Sequence, residues 1–378
     1  MSTFSFDALP TFLKDALREQ GIQEPTDIQS KMIPEALEGQ SLIARSQTGT
    51  GKTLAYLLPA LTKIDVAKKG LQVIVLAPTQ ELAMQVVDVA KSLTEKEPII
   101  IGSYIGGANI KRQVEKLKKQ KPQLAIGTPG RLLELIEMKK LKLHEVQVVA
   151  VDEADRMMAE HSSWEATIQI AKRAGRETQF LFVSATIPKD FSEQVAAAAP
   201  FVVQVEAEGG LVHTENVDHL YIRADERDKI DVARRVIHAE NIEKGIVFVN
   251  QLEKVAETAE KFSYKGIKAL ALSSDQSKHE REHALKSFHK GETHILIASD
   301  VAARGLDIDN VTHIIQLDAP ANSDSYLHRA GRTGRMGKSG KVLTIVDRKS
   351  EYKVDKYRRD LKIELKETML TRGNLIMK

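Results

Sequence analysis

A chain of 378 residues with a net charge of only +3 is long for one hydrophobic core and too weakly charged to hold a polyanion through a bulk field. Its 42% apolar and 28% charged content excludes a disordered chain, and no apolar run reaches the length of a bilayer span. The absence of cysteine excludes disulfides, thiolate zinc sites and cysteine nucleophiles, so a soluble cytoplasmic protein of two domains without membrane contact is expected.

In chain order, short apolar runs recur at Leu42-Ile43-Ala44, Val73-Ile74-Val75-Leu76, Ile99-Ile100-Ile101, Leu124-Ala125-Ile126, Val148-Val149-Ala150-Val151 and Phe180-Leu181-Phe182-Val183. Runs that are apolar throughout suit parallel strands covered on both faces. Helical patterns lie between them; Leu82, Val86, Val89 and Leu93 keep one apolar face. A second series follows at Leu220-Tyr221-Ile222, Ile246-Val247-Phe248-Val249, Leu270-Ala271-Leu272, Ile295-Leu296-Ile297-Ala298, Ile314-Ile315-Gln316-Leu317 and Val342-Leu343-Thr344-Ile345-Val346. Alternating strand and helix predicts α/β domains on open parallel sheets. The segment between the series has paired glycines and no periodicity, which predicts domains over 1–207 and 217–378 with a linker over 208–216. The lysine-rich stretches Lys116-Leu117-Lys118-Lys119-Gln120-Lys121 and Lys356-Tyr357-Arg358-Arg359 read as solvated helix faces.

Three polar clusters carry chemistry, and they sit just after the apolar runs, where open parallel sheets bind ligands. Ser46-Gln47-Thr48-Gly49-Thr50-Gly51-Lys52-Thr53 stands between a strand and an apolar helix, the context of a phosphate loop. Its backbone N–H groups would cradle phosphates, Lys52 would reach the outer ones, and the Thr53 hydroxyl suits Mg²⁺. The strict pattern starts with glycine, where this chain has Ser46. Asp152-Glu153-Ala154-Asp155 follows a strand ending at Val151; an acidic turn of this kind suits metal binding and polarisation of water when it lies beside a phosphate loop. In His328-Arg329-Ala330-Gly331-Arg332-Thr333-Gly334-Arg335, glycines between arginines let several guanidiniums approach one compact anion. Phosphate loop and arginine run are too distant in sequence to act on one phosphate unless two domains close over it.

These clusters, with Gly21-Ile22-Gln23-Glu24-Pro25-Thr26-Asp27-Ile28-Gln29, Pro78-Thr79-Gln80-Glu81-Leu82-Ala83, Gly106-Gly107, Thr128-Pro129-Gly130-Arg131, Ser184-Ala185-Thr186 and Ser299-Asp300-Val301-Ala302-Ala303-Arg304-Gly305-Leu306-Asp307, resemble the motifs of the DEAD-box ATP-dependent RNA helicases, in the family's order and over nearly the whole chain. The resemblance implies two tandem RecA-like domains, each a parallel sheet flanked by helices, using ATP and Mg²⁺. It implies that Gln29 reads the adenine edge while Phe4 stacks on the ring; Phe6 is the competing choice, and a plain hydrophobic anchor the simpler role. The phosphate loop, with Gly305 and the ribose-contacting Asp307, completes the nucleotide site. Glu153 becomes the general base, Asp152 and Thr53 the metal residues, and Arg332 and Arg335 the γ-phosphate fingers, with His328 between the catalytic centre and the RNA.

For RNA the resemblance implies Pro78, Thr79, Gly107, Thr128, Gly130, Arg131, Arg281 and Ser299, with Ser184 and Thr186 coupling hydrolysis to unwinding. The expected partner is structured or duplex RNA held by its backbone, such as a ribosomal precursor, and the expected state is a monomer. Three departures stand out: Gln80 where the family has arginine, Lys278 beside Arg281 where it has glutamine, and Ser299 where it has threonine. An RNA clamp with little unwinding shares every motif with the helicase. A DNA translocase fits less well, because of Gln29 and Ser184-Ala185-Thr186.

Overall fold

The computed structural model describes residues 4–46, 50–187, 190–196, 199, 201–207, 216–273, 275–303, 311–334 and 338–378, with backbone alone at 278, 301 and 324. The expected linker therefore lies outside the described residues except for Asn216. The chain divides into two compact units, Met1–Glu208 and Gly209–Lys378.

In the first unit, β1 (Ser41–Arg45), β2 (Val73–Leu76), β3 (Ile101–Tyr104), β4 (Leu124–Gly127), β5 (Val148–Val151), β6 (Gln179–Ser184) and β7 (Val202–Glu206) form one sheet in the order β3-β4-β2-β5-β6-β1-β7. Every pair in it is parallel. Alternate residues serve two cores: Leu42, Val73, Val75, Val148 and Leu181 face one, whereas Ile43, Ile74, Val149, Phe180 and Phe182 face the other. The second core includes Trp164, whose ring centroid lies 6.5 Å from that of Phe182 and 6.1 Å from that of Phe191.

In the second unit, β8 (Val217–Arg223), β9 (Gly245–Phe248), β10 (Ala269–Leu272), β11 (Ile295–Ala298), β12 (His313–Gln316), β13 (Gly340–Val346), β14 (Leu365–Thr371) and β15 (Asn374–Met377) take the order β10-β11-β9-β12-β13-β8-β14-β15. Only β14 and β15 pair antiparallel among the described strands. Subtracting seven from each label turns β10-β11-β9-β12-β13-β8 into 3-4-2-5-6-1, the order of the first sheet. The two units are one topology used twice.

The predicted runs all became strands, though the third begins at Ile101 instead of Ile99. Ile100 is already held there, its N–H donating to the Gln123 side chain at 3.0 Å. β7, β14 and β15 were not predicted. β7 and β15 are edge strands and β14 is next to the edge, each with exposed residues along it, so their residues are not apolar throughout.

Inside the second unit His219 is buried, its Nδ1 2.9 Å from the Tyr326 hydroxyl and its Nε2 without a partner among the described residues. Burial lowers its pKa to about 4, and burial also lowers that of His313. Since the folded value lies below the unfolded one, the unfolded chain binds more protons in between. Stability from this group is complete above about pH 6.5 and is lost as pH falls towards 4, by up to roughly 3 kcal/mol. We expect hydrogen-exchange protection of β8 and β13 to decline across that window, and His219→Gln to shrink the decline. An equal decline in the variant rules His219 out as its source.

Candidate active site and RNA edge

All the first-unit motifs lie at the carboxyl ends of the strands, and backbone hydrogen bonds knit neighbouring tips together. Ser46 N donates to Ser184 O at 3.0 Å, Asp152 N to Leu76 O at 2.9 Å, Ala77 N to Gly127 O at 3.0 Å and Thr128 N to Tyr104 O at 3.0 Å. Sheet order then separates two groups of candidate residues along one edge. The phosphate loop, the acidic turn and Ser184-Ala185-Thr186 follow β1, β5 and β6, whereas Thr79, Gly107 and Thr128 follow β2, β3 and β4.

The helix Lys52–Thr62 starts at Gly51, whose φ of 86° favours glycine. A Cβ there would also meet the Gln29 side chain at 2.3 Å. Buried Lys52 donates from Nζ to Ser46 O at 2.7 Å, and the Ser46 and Thr50 hydroxyls are 2.6 Å apart. Gln29 is itself buried and committed at both ends: Oε1 accepts from Thr26 N at 3.0 Å and Nε2 donates to Gly51 O at 3.0 Å. It fastens its own helix start to the phosphate loop, a role the sequence did not reveal. Of the two phenylalanines, Phe6 is buried in the core and Phe4 is half-buried, edge-on to it at 6.2 Å. Gln47, Thr48 and Gly49 lie outside the described residues.

The acidic turn sends its carboxylates three ways. Asp152 is buried and accepts from the Tyr56 hydroxyl at 2.9 Å and from Glu153 N at 2.8 Å. Burial and then the Glu153 charge push its pKa up to about 6, with Lys52 opposing. Tyr56 is held well above the usual phenol range, by burial first and Asp152 second. Tyr56 escaped the sequence reading inside an apolar helix; the available signal was its position one turn after Lys52. Glu153 adopts a left-handed backbone (φ 46°, ψ 50°), and its carboxylate pairs with Arg156 at 2.9 Å. Asp155 accepts from the Thr186 backbone N–H at 2.9 Å and from its hydroxyl at 2.8 Å, while its own N–H donates to Ser184 Oγ at 3.3 Å.

This donor set fits a hard cation. Asp152 and Thr53 offer oxygen ligands, and a positive charge there would offset the burial of the carboxylate. Among the described residues no three acidic or histidine side chains converge.

On the other half of the edge, Thr79 caps the helix Gln80–Leu93, its Oγ1 accepting from Leu82 N at 3.2 Å. The exposed Gln80 side chain lies beside Gly106 and Gly107. Half-buried Pro78 and Thr128 flank this surface, and a Cβ added at exposed Gly130 would meet nothing. Arg131 is occupied within the protein, donating to Ala108 O at 2.9 Å, Gln113 Oε1 at 3.0 Å and Glu134 Oε2 at 3.0 Å.

In the second unit the arginine run divides. Arg329 is 1% exposed and points inward: it donates to Asp300 Oδ2 at 2.9 Å, Asn250 Oδ1 at 2.7 Å and Asp318 O at 2.8 Å, and its guanidinium lies 5.0 Å from the Phe248 ring centroid. It is a structural pin, so the run does not aim every guanidinium at an anion. His328, Arg329 and Arg332 line one small cleft with Asp300 and Ser325. Arg281 joins Ser273 O at 3.2 Å to Ala302 O at 2.7 Å, and buried Ser299 Oγ accepts from Ala302 N at 3.4 Å. Gly305, Asp307 and Arg335 lie outside the described residues, as does the side chain of Lys278.

Comparison with known proteins agrees. The DEAD/DEAH box helicase profile matches residues 26–194, and the helicase conserved C-terminal domain matches residues 228–337. The chain is 43% identical over 368 residues to the DEAD-box ATP-dependent RNA helicase CshC of Bacillus cereus, covering 97% of this chain and 93% of that protein. It is 40% identical to the probable ATP-dependent RNA helicase YfmL of Bacillus subtilis, covering 97% and 96%. Saccharomyces cerevisiae Dbp5, in a structure bound to RNA and ADP BeF3, superposes with a TM-score of 0.88 at 28% identity, covering 96% of this chain and 95% of that one. A phosphate loop, an acidic turn and a hydroxyl triplet on one sheet edge, followed by a second sheet of the same topology, place this chain among the DEAD-box ATP-dependent RNA helicases, which are RNA-dependent ATPases.

Proposed function

We propose that the enzyme couples RNA-stimulated ATP hydrolysis to local, non-processive separation of short RNA duplexes, acting as a cytoplasmic monomer on structured RNA such as ribosomal precursors. The observation that carries this reading is the Asp155 carboxylate. One buried group at the tip of β5 holds Thr186 at the tip of β6, two residues from Glu153. In this reading a change at the attacking water passes to Ser184 and Thr186 through Asp155.

In this reading Lys52 exchanges Ser46 O for the outer phosphates of ATP, and Gln29 exchanges Thr26 and Gly51 for the adenine edge, with the half-buried Phe4 ring as stacking partner. Asp152 and Thr53 hold Mg²⁺, which when bound neutralises phosphate charge. Tyr56 orients Asp152. Glu153 gives up Arg156 to take a proton from water. Arg332, together with Arg335 and His328, supplies charge to the γ-phosphate when the two units close, while Gly305 and Asp307 meet the nucleotide. The strand of RNA runs over Pro78, Thr79, Gly107, Thr128 and Gly130, where small residues admit its phosphates; the open space around Gly130 supports this. Arg131 shapes that path by holding its loop, and Arg281 and Ser299 hold the second unit's own loops for RNA. Contact with 2′-hydroxyls selects RNA over DNA.

ATPase rates over a panel of RNAs and DNA test the whole. Glu153→Gln should retain nucleotide binding and lose turnover by roughly 10²–10⁴, whereas Lys52→Ala should weaken binding itself. Full turnover in Glu153→Gln would remove the residue from its role. Arg332→Ala should lower RNA-stimulated turnover by about 10³ or more with nucleotide affinity largely kept; unchanged stimulation sinks the closure reading. Asp155→Asn should leave ATP hydrolysis less sensitive to RNA and uncouple it from strand release, measured on a short duplex. Prolonged retention of RNA without strand release by the unaltered enzyme would favour the clamp.

A further inference from the structure

The opposite edge of the first sheet holds a second concentration of charge. The amino ends of β4, β2 and β5 are neighbours there, and the segments leading into them carry Lys121, Lys69 and the pair Lys140 and Lys142. These four exposed lysines line one cleft of about 250 Å³. They bring four positive charges to it, and none of them makes an ion pair within the described residues. One carboxylate, Glu145, also lines the cleft, seated against Gly70, where a Cβ would lie 1.8 Å from its Oε2.

The simplest explanation of such lysines is complementarity to a helix C-terminus. It serves for Lys116, Lys118 and Lys119, in the last turn of the helix Ile110–Lys119. It does not serve for Lys69, which follows the end of the helix Lys52–Thr62 by several residues, nor for Lys121, which comes after the extended Gln120. The loops are also fixed in place. Buried Gln72 is bonded both ways to the Asp65 backbone at 2.8 Å, and buried Gln123 donates to Lys68 O at 3.4 Å. Gathering like charges on clamped loops is unfavourable unless an anion meets them.

We propose that this cleft is an ancillary site for the phosphate backbone of RNA. Lysine ammonium groups contact phosphate as point charges, and no Phe, Tyr or Trp lines the cleft, whose one ring is the exposed His144, so the lysines give it a recognition that is independent of sequence. β2 and β4 each carry a candidate RNA residue at the far end, about 13 Å of strand away. An RNA extending beyond the strand held there can follow the unit round to the cleft, whereas a single strand short enough to be covered by the carboxyl edge does not reach it. The inference rests on that strand lying at the carboxyl edge, and the test separates the two.

The test compares the full chain with its Lys69→Gln, Lys121→Gln, Lys140→Gln, Lys142→Gln variant. The probes are a short single-stranded RNA and the same strand extended into a hairpin, each bound with a non-hydrolysable ATP analogue across a salt series. The variant should bind the short strand unchanged and keep its turnover at saturating RNA. It should bind the hairpin at least tenfold more weakly at low salt, with the salt slope reduced by about 1 per lysine lost from a phosphate. Unchanged hairpin binding overturns the proposal. So does an equal loss for both probes, or the same loss in a charge-matched Lys254→Gln, Lys290→Gln, Lys349→Gln, Lys362→Gln control, which points to bulk charge. Loss of poly-glutamate binding with RNA binding intact would assign the cleft to an acidic protein instead.

Discussion

Burying a carboxylate is costly unless something answers its charge, and the turn after β5 buries or half-buries three within four residues. Each finds a different partner: Asp152 turns to Tyr56 and lies within the influence of Lys52, Glu153 turns to Arg156, and Asp155 turns to Thr186. A left-handed backbone at Glu153 makes the divergence possible, since the chain must reverse direction between the strand and the next helix. The turn therefore joins the helix of the phosphate loop to the hydroxyl triplet after β6. Without it the two would be neighbours in the sheet with no polar connection through these side chains.

The second unit shows what the same topology does when its loops change. The segment after β8, which occupies the place of the phosphate loop, reads Ala224-Asp225-Glu226-Arg227-Asp228 and has no glycine. Acidic side chains there repel phosphate, so the repeated scaffold carries no second cradle at that position. Its polar investment goes inward to Arg329. Removing one partner of so buried a charge would leave the other uncompensated, typically a loss of about 3–5 kcal/mol. Arg332, three residues on and 5% exposed, belongs to the same cleft but stands at the chain's turn after the helix Ser323–Ala330.

Much of this was legible in the sequence because parallel strands covered on both faces are apolar throughout, and because polar clusters placed directly after them mark the functional edge. Edge strands such as β7 were illegible for the converse reason: an open face lets polar residues interrupt the pattern. At the site, types and spacing revealed the phosphate loop and the acidic turn. They did not reveal Tyr56, the clasp between Asp155 and Thr186, or the pin at Arg329, because each depends on a partner distant in sequence. Gln29 and Arg131 show the same limit: the motif names the residue, whereas only the structure shows that its hydrogen bonds are already taken.

Trp164, the chain's one indole, sits in the aromatic group with Phe182 and Phe191 and is 6% exposed. Its emission is therefore a private spectroscopic channel for the first unit. Denaturation followed by that signal leaves the second unit dark, and a mismatch with circular dichroism would resolve two melting events in a single unlabelled sample.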